Sequence, residues 1–286
     1  MVVKGVSLIG VVLFSFLVFS ASDLTVIWLF MELAGLCLIP AFFCGAPMSL
    51  CVLFNYIIAS SFSSSLIVSG FLFTGYIYFF ILGFMIKFGF FPFIGWVYSV
   101  CTESNWLVVY LFSIVVKSSF CVLGFFISGI SYAIIISSFG CVSLLVLSAL
   151  FWVYSFSWFH CWCHMMLSSS VVLVSSVLSG SLEVLALLYS VYFFWGSVTI
   201  FFLSYICKEM VLDSLGVFFL YCFLLLSIPV SLSVFYKITI GVCVYFCSIA
   251  IFYAWCIYSI SEQLFLFKYI VSVEVPKCLV GSLGLV

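Results

Sequence analysis

The sequence has very little charge. Charged residues make up 5% of its 286 positions, arginine is absent and glutamine occurs once. A soluble domain carries about 25% charged residues, so this composition excludes a soluble globular protein. Hydrophobic residues make up 68% of the chain, and its mean hydropathy is +1.54. The net charge of −1 gives no electrostatic reason to expect nucleic acid as a partner.

The apolar runs also lack the alternation of polar and apolar residues that is typical of a membrane β-barrel. A helix crosses the bilayer with about 20 apolar residues. At about 25 residues per span and turn, the length allows about ten or eleven transmembrane helices. The fold class expected is therefore all-α and polytopic, a single membrane domain over residues 1–286 that is surrounded by lipid.

Gly, Pro, Ser and charged residues separate the apolar runs and predict short turns between them. The first eight predicted spans are Val6–Ser20, Leu24–Cys44, Leu50–Phe73, Tyr76–Val100, Trp106–Phe126, Tyr132–Tyr154, Cys161–Leu178 and Leu182–Ile206. A ninth run extends from Leu215 to Ile260, with Gly241 as its only hinge. We expect an interrupted helix to about Phe246 and a tenth span to about Phe267.

The fourth span contains a lysine near the middle of the membrane. A cation at that depth costs at least ~3 kcal/mol unless it is paired or hydrated. Gly89 and Pro92 follow Lys87 closely. Because proline has no N–H to donate and clashes with the preceding turn, the helix is predicted to break just past the lysine. An interrupted helix beside a buried charge is typical of an ion path lined by opened backbone.

A second interrupted helix is predicted at Pro229, which precedes Lys237. Two interruptions at corresponding places suggest two inverted five-helix repeats. The first repeat is expected over about 6–126 and the second over about 132–267, with 268–286 unassigned.

Four charged residues lie well inside apolar runs, namely Glu32, Lys87, Lys117 and Lys237. Nine others are predicted to be solvated near span ends: Lys4, Asp23, Glu103, Glu183, Lys208, Glu209, Asp213, Glu262 and Lys268. Isolated buried charges are costly unless they meet. Burial and pairing act on the pKa of a lysine in opposite directions, so a small change in pair distance moves a proton. Proton transfer is the favoured interpretation, and static pairing between helices is the alternative.

The other motifs are weaker indications of a functional site. Two Ser-rich patches, 60–65 and 168–170, suit close helix packing, or alternatively line a hydrated path. The stretch from His160 to His164 has no tetrahedral metal spacing and is predicted to be an interfacial, Trp-rich helix end, so no metal site is expected. Nucleotide-binding loops and iron–sulfur cysteine spacings are absent from the sequence, which predicts no cofactor or redox centre in this chain.

Several of these elements resemble chain 2 of animal mitochondrial NADH–ubiquinone oxidoreductase, the antiporter-like family of respiratory complex I. The stretch Lys87–Trp96 resembles the family pattern Lys-Leu-Gly-x-x-Pro-Phe-His-x-Trp, and Glu32 follows Trp28 as the family's early glutamate does. Lys117 has the family spacing from the first lysine, and Ile228–Lys237 resembles its second proline element. The stretches Asn55-Tyr56 and Ser168-Ser169-Ser170 also have family counterparts.

The resemblance implies a proton path through Glu32, Lys87, Lys117 and Lys237. It also implies a multi-pass place in the mitochondrial inner membrane, beside other membrane-arm subunits that include sister antiporter-like chains. FMN, iron–sulfur clusters and ubiquinone would belong to partner subunits that oxidise NADH and reduce the quinone. The chain is rich in residues whose codons contain mostly T and G, which fits a gene in an organelle. The sequence also shows no Arg/Ser-rich transit peptide ahead of the first span, as expected of an organelle-encoded chain.

Two positions depart from the family pattern, because Ile94 and Leu173 stand where histidines are usual. Water or serine would have to replace those histidines in a proton relay. Two other functions remain open from the sequence, a stand-alone cation/proton antiporter and a purely structural membrane subunit. A proton-carrying chain of the rotary ATP synthase is disfavoured, because that family requires an arginine inside the membrane.

Overall fold

The structure, a computed structural model, is helical over the part of the chain that it describes. The described residues are 2–43, 50–73, 77–119, 122, 133–179, 182–209 and 215–274. No strand occurs among them, and seven helices are long and apolar enough to cross a membrane. The protein is therefore an all-α polytopic membrane protein, which confirms the predicted fold class.

The described residues of the first half of the chain form six α-helices. Their bounds are α1 Val2–Leu17, α2 Leu24–Phe42, α3 Leu50–Leu72, α4 Ile77–Phe88, α5 Gly95–Glu103 and α6 Trp106–Ser119. α1 packs along α2, and α3 packs along both α4 and α5. α4 and α5 together are one interrupted span, and α6 contains a wider π-helical turn at Leu111–Val115.

Six more α-helices lie in the part of the second half that the structure describes. Their bounds are α7 Ala133–Val153, α8 Trp158–Ser179, α9 Leu182–Glu209, α10 Leu215–Leu224, α11 Leu232–Cys247 and α12 Ile249–Glu274. α7 packs along α8 and α12, and α11 packs against α8, α9 and α12. α10 and α11 are the second interrupted span.

The core of the protein lies around α8. In this helix every residue from Cys161 to Val177 is buried, whereas 22% to 39% of an 18-residue stretch is buried in the other six long helices. Its neighbours come from both halves of the chain and include α4, α5, α7, α9 and α11. The polar side chains of α8 from His164 to Ser176 are therefore surrounded by protein and not by lipid.

The element order of the described residues divides into two sets of five spans, and the fourth span of each set is interrupted. α1, α2, α3, α4 with α5, and α6 form the first set. α7, α8, α9, α10 with α11, and α12 form the second. The inverted relation between the two halves stays a prediction.

The predicted hinge at Gly241 was wrong. α11 continues through this residue to Cys247, and the chain changes direction at Ser248, which has φ −162° and ψ 125°. A Cβ atom at position 241 would lie 3.3 Å from the ring of Trp255. The glycine thus allows α11 and α12 to approach closely.

The ends of several spans also differ from the prediction. α8 begins at Trp158, three residues before the expected start, and α12 continues to Glu274 where an end near Phe267 was expected. The predicted ends at Cys44, Tyr76, Phe126 and Tyr132 lie outside the described residues.

Candidate proton-transfer site

The first helix break follows the buried lysine directly, as predicted. α4 ends at Phe88, and Gly89 has a φ of +68°, which a residue with a side chain rarely adopts. A Cβ atom at this glycine would lie 2.6 Å from Cγ2 of Val97. Position 89 therefore requires glycine, because of its backbone conformation and because there is no room for a Cβ atom.

The opened backbone at this break finds partners inside the protein. The N–H of Phe91 donates to the hydroxyl of Ser143 on α7 at 2.9 Å. The indole N–H of Trp96 donates to the carbonyl of Ile86 at 3.0 Å. Irregular backbone at membrane depth requires such partners, because hydrocarbon offers none.

Lys87 is held by three helices. Its ammonium group forms an ion pair with Glu32 of α2 and donates to the hydroxyl of Ser64 on α3 at 3.3 Å. The side chain of Lys87 is 8% exposed and that of Glu32 is 21% exposed. The predicted Glu–Lys pair is thus present, with the lysine as its more deeply buried member.

Lys117 is also buried, at 4% exposure. Its ammonium group donates to the carbonyl of Met166 at 2.7 Å and to the hydroxyl of Ser169 at 2.6 Å, both on α8. The ring centroid of Tyr192 lies 4.7 Å from the nitrogen, within the range of a cation–π contact. The second Ser-rich patch therefore supplies a direct contact to a buried lysine.

The π turn lies just before Lys117 on α6. Within it, the carbonyl of Ser113 accepts from the hydroxyl of Tyr192 at 2.9 Å, and that of Ile114 accepts from Tyr189 at 2.8 Å. A π turn widens the helix and exposes carbonyl groups, and such turns are frequent at functional sites. No feature of the sequence predicted this turn.

A small cavity joins the first two lysines. It has a volume of about 20 Å³, and its lining includes Lys87, Lys117, Phe112, Met166 and Ser170. One water molecule needs about 10–15 Å³ and two to four polar partners. The cavity, which both lysines line, is thus large enough for a single water.

The second helix break, between α10 and α11, contains Pro229 as predicted. The side chain of Gln263 on α12 stabilises this break from two sides. Its oxygen accepts from the N–H of Ser227 at 2.8 Å, and its nitrogen donates to the carbonyl of Leu225 at 3.2 Å. The only glutamine of the chain thus pairs backbone groups that the break leaves open.

Lys237 forms an ion pair with Glu262 across α11 and α12, and the nitrogen–oxygen distance is 2.8 Å. The two side chains are 12% and 7% exposed. The contact lacks the alignment of a hydrogen bond, so we describe it as an ion pair only. The prediction that Glu262 is solvated near a span end was wrong, because α12 continues to Glu274 and places it mid-helix.

The other charges predicted at span ends divide into two groups. The side chains of Lys4, Asp23, Glu103, Glu183 and Lys268 are exposed, as predicted. The side chains of Lys208, Glu209 and Asp213 lie outside the described residues. Glu262 was therefore the functional candidate that the sequence analysis missed. A signal for it existed, since the apolar run resumes after Gln263 with Leu264–Phe267.

The His160–His164 stretch forms the first turns of α8. His160 bonds with Ser157 at 2.7 Å near the helix start, which suits the predicted interfacial position. His164 is fully buried and hydrogen-bonds to Tyr98, so this part of the stretch is not interfacial. Among the described residues, no three His, Cys, Asp or Glu side chains converge on a metal site.

Serine hydroxyls contact both lysines of the first half. Leu173, at one of the two positions where histidine was expected, is buried on α8. Ile94, at the other, directly precedes α5. Ser64 and Ser169 supply neutral hydroxyls at the lysines, and the replacement of the two histidines by serine or water stays a prediction.

The fold and the site together define a polytopic helical membrane protein whose interior holds three lysines and two glutamates in contact with one another or with hydroxyls. No family model matches the chain, and no curated protein matches its sequence.

Proposed function

We propose that the chain is a proton-translocating membrane-arm subunit of NADH:ubiquinone oxidoreductase. One observation carries the proposal: Lys87 and Lys117 are both buried, and they line the same small cavity. Two neighbouring lysines repel each other when both are charged, so protonation of one opposes protonation of the other. Such a pair suits the handing of a proton from one group to the next.

Each charged residue has a distinct role in this proposal. Glu32 stabilises the charged form of Lys87, and a change in their separation alters how firmly the lysine holds its proton. Lys117 exchanges protons with Lys87 through the cavity. Lys237 and Glu262 form the connecting or exit group in the second half.

Partner subunits supply the redox chemistry. They would hold the FMN, the iron–sulfur clusters and the ubiquinone, and neighbouring antiporter-like chains would lie beside this one in the mitochondrial inner membrane. The resemblance of the Lys87–Trp96 and Ile228–Lys237 elements supports this assignment. The chain itself contributes the helical bundle and its buried lysines.

The test uses the full chain in its membrane assembly, with Lys87→Met as the variant and Lys268→Met as the matched control. Lys268 is exposed and lies over the ring of Trp152. NADH oxidation and dye quenching by imported protons are measured on inside-out vesicles. We expect Lys87→Met to lose proton transport per NADH oxidised while the control keeps it. Full transport in Lys87→Met would contradict the proposal.

A second experiment separates a subunit from a stand-alone antiporter. The purified chain is reconstituted alone into liposomes with an imposed sodium, potassium or pH gradient. A subunit of the proposed kind exchanges no cations by itself, and it co-purifies with other membrane-arm chains when solubilised gently. Exchange by the chain alone, at rates abolished in Lys87→Met, would establish the antiporter instead.

A further inference from the structure

Two buried tyrosines lie near Glu262, which forms the ion pair with Lys237 in the second half. Tyr236 belongs to α11 and is 6% exposed, and Tyr258 belongs to α12 and is 2% exposed. Tyr236 stacks on Trp195, with ring centroids 4.2 Å apart. Both phenol rings are thus fixed by packing in the part of the core next to α8.

The hydroxyl of Tyr258 is enclosed without a well-aligned hydrogen bond to any described residue. The hydroxyl of Ser168 and the carboxylate of Glu262 are nevertheless both within its reach. A buried hydroxyl with no aligned partner is unfavourable, and phenylalanine would fill the same space without that cost. The phenol therefore needs an explanation other than packing.

Tyr236 extends the series toward the first half. Its hydroxyl is within hydrogen-bonding reach of Ser169, and it lies near Tyr258 and Glu262. Ser169 in turn accepts from Lys117 at 2.6 Å. Hydroxyl groups of α8, α11 and α12 thus cluster in the core, with Lys117 next to one of them and Glu262 next to another.

We propose that Tyr236 and Tyr258 are proton-relay residues that join Lys117 to the Glu262–Lys237 pair. This inference rests on the proposed function and deepens it. In each passage the ammonium of Lys117 gives a proton to Ser169 as the O–H bond of Ser169 breaks toward Tyr236. Tyr236 then passes its own hydroxyl proton to Tyr258, and Tyr258 passes its own to the carboxylate of Glu262, so that Lys117 ends neutral and Glu262 ends protonated. Each tyrosine is neutral before and after, and the net result is one proton moved toward the carboxylate.

The experiment uses Tyr236→Phe and Tyr258→Phe in the full membrane assembly. Phenylalanine keeps the ring contacts and removes only the hydroxyl. Tyr221→Phe is the matched control, because Tyr221 is equally buried and donates to the carbonyl of Leu266, away from the lysines. Proton uptake per NADH oxidised is measured by dye quenching and normalised to the amount of assembled complex on a native gel.

We expect each relay variant to fall below half of the wild-type ratio of protons to NADH, while Tyr221→Phe stays at the wild-type ratio. Because the two phenols act in series, a loss in only one of the variants would overturn the relay. Normal ratios in both, with a low ratio in Lys87→Met, would overturn the relay and leave the proposed function standing. Normal ratios in Tyr236→Phe, Tyr258→Phe and Lys87→Met would overturn both the relay and the proposed function.

Discussion

Lys237 of α11 and Glu262 of α12 form an ion pair of 2.8 Å inside the second half of the protein. The pair corresponds to that of Lys87 with Glu32 in the first half. In both cases the lysine belongs to an interrupted span and the glutamate to an uninterrupted one. Each half therefore holds its lysine beside a helix break by a carboxylate from another helix.

Removal of Glu262 should leave a buried, unpaired lysine. Breaking a buried ion pair from one side costs about 3–5 kcal/mol, so Glu262→Gln is expected to reduce the amount of assembled protein strongly. The double variant Glu262→Gln with Lys237→Met should regain assembly but not proton transport. Native gels and dye quenching measure the two properties, and Glu183→Gln at an exposed position is the control.

Exchanging Glu32 and Lys87 tests whether proton transport depends on which of the two positions carries the positive charge. Glu32→Lys with Lys87→Glu keeps one positive and one negative charge and should restore assembly relative to either single change. Proton transport should stay low, because Lys87 lines the cavity that it shares with Lys117 and Glu32 does not. If the exchanged pair both assembles and transports protons at the wild-type rate, a structural role for the charges is sufficient.

Gly89→Ala should destabilise the first helix break. The residue has a φ of +68°, and an added Cβ would lie 2.6 Å from Val97. An unfavourable backbone conformation alone costs about 1–3 kcal/mol, and the close contact adds to that. Gly95→Ala is the control, since no atom lies within 4 Å of its added Cβ. The temperature of aggregation in detergent should fall for the first variant only.

Gln263→Leu should destabilise the second helix break. It leaves the N–H of Ser227 and the carbonyl of Leu225 without their side-chain partner. A buried polar group that loses its partner costs about 1–3 kcal/mol. The same aggregation assay measures the loss, with Leu264→Ala on the exposed side of α12 as the control. Equal stability of the two variants would show that the glutamine is dispensable for the break.

The sequence was sufficient for features that one or two residues determine locally. Pro92 and Gly89 predict the first break because proline removes a hydrogen bond and glycine accepts a positive φ. The pair of Lys87 with Glu32 was predictable because each charge alone in a long apolar run requires a partner.

Features that depend on helix length or on packing were not predictable. Glu262 was assigned to a span end because α12 was predicted to end near Phe267. In the structure α12 packs along α7 and continues to Glu274. Gly241 was interpreted as a hinge because a glycine that allows a bend and a glycine that allows close packing look alike in sequence. Only Trp255, from another helix, distinguishes the two.

The serine patches show the same limit. Ser64 and Ser169 contact lysines, and Ser169 also donates to the carbonyl of Met166 in its own helix. Ser61 and Ser65 also donate to carbonyls of their own helix. Serine is compatible with either role, and its position on the helix surface relative to other helices decides between them. The sequence therefore left both interpretations open.

The burial of α8 has a consequence for the biosynthesis of the protein. With a mean hydropathy of 1.2, this helix is the least apolar of the seven long ones, which range up to 2.4. A segment that carries so many hydroxyls gains little by entering hydrocarbon alone. Its entry into the bilayer therefore depends on the helices that will cover it, and it should be retained at the insertion machinery until they emerge.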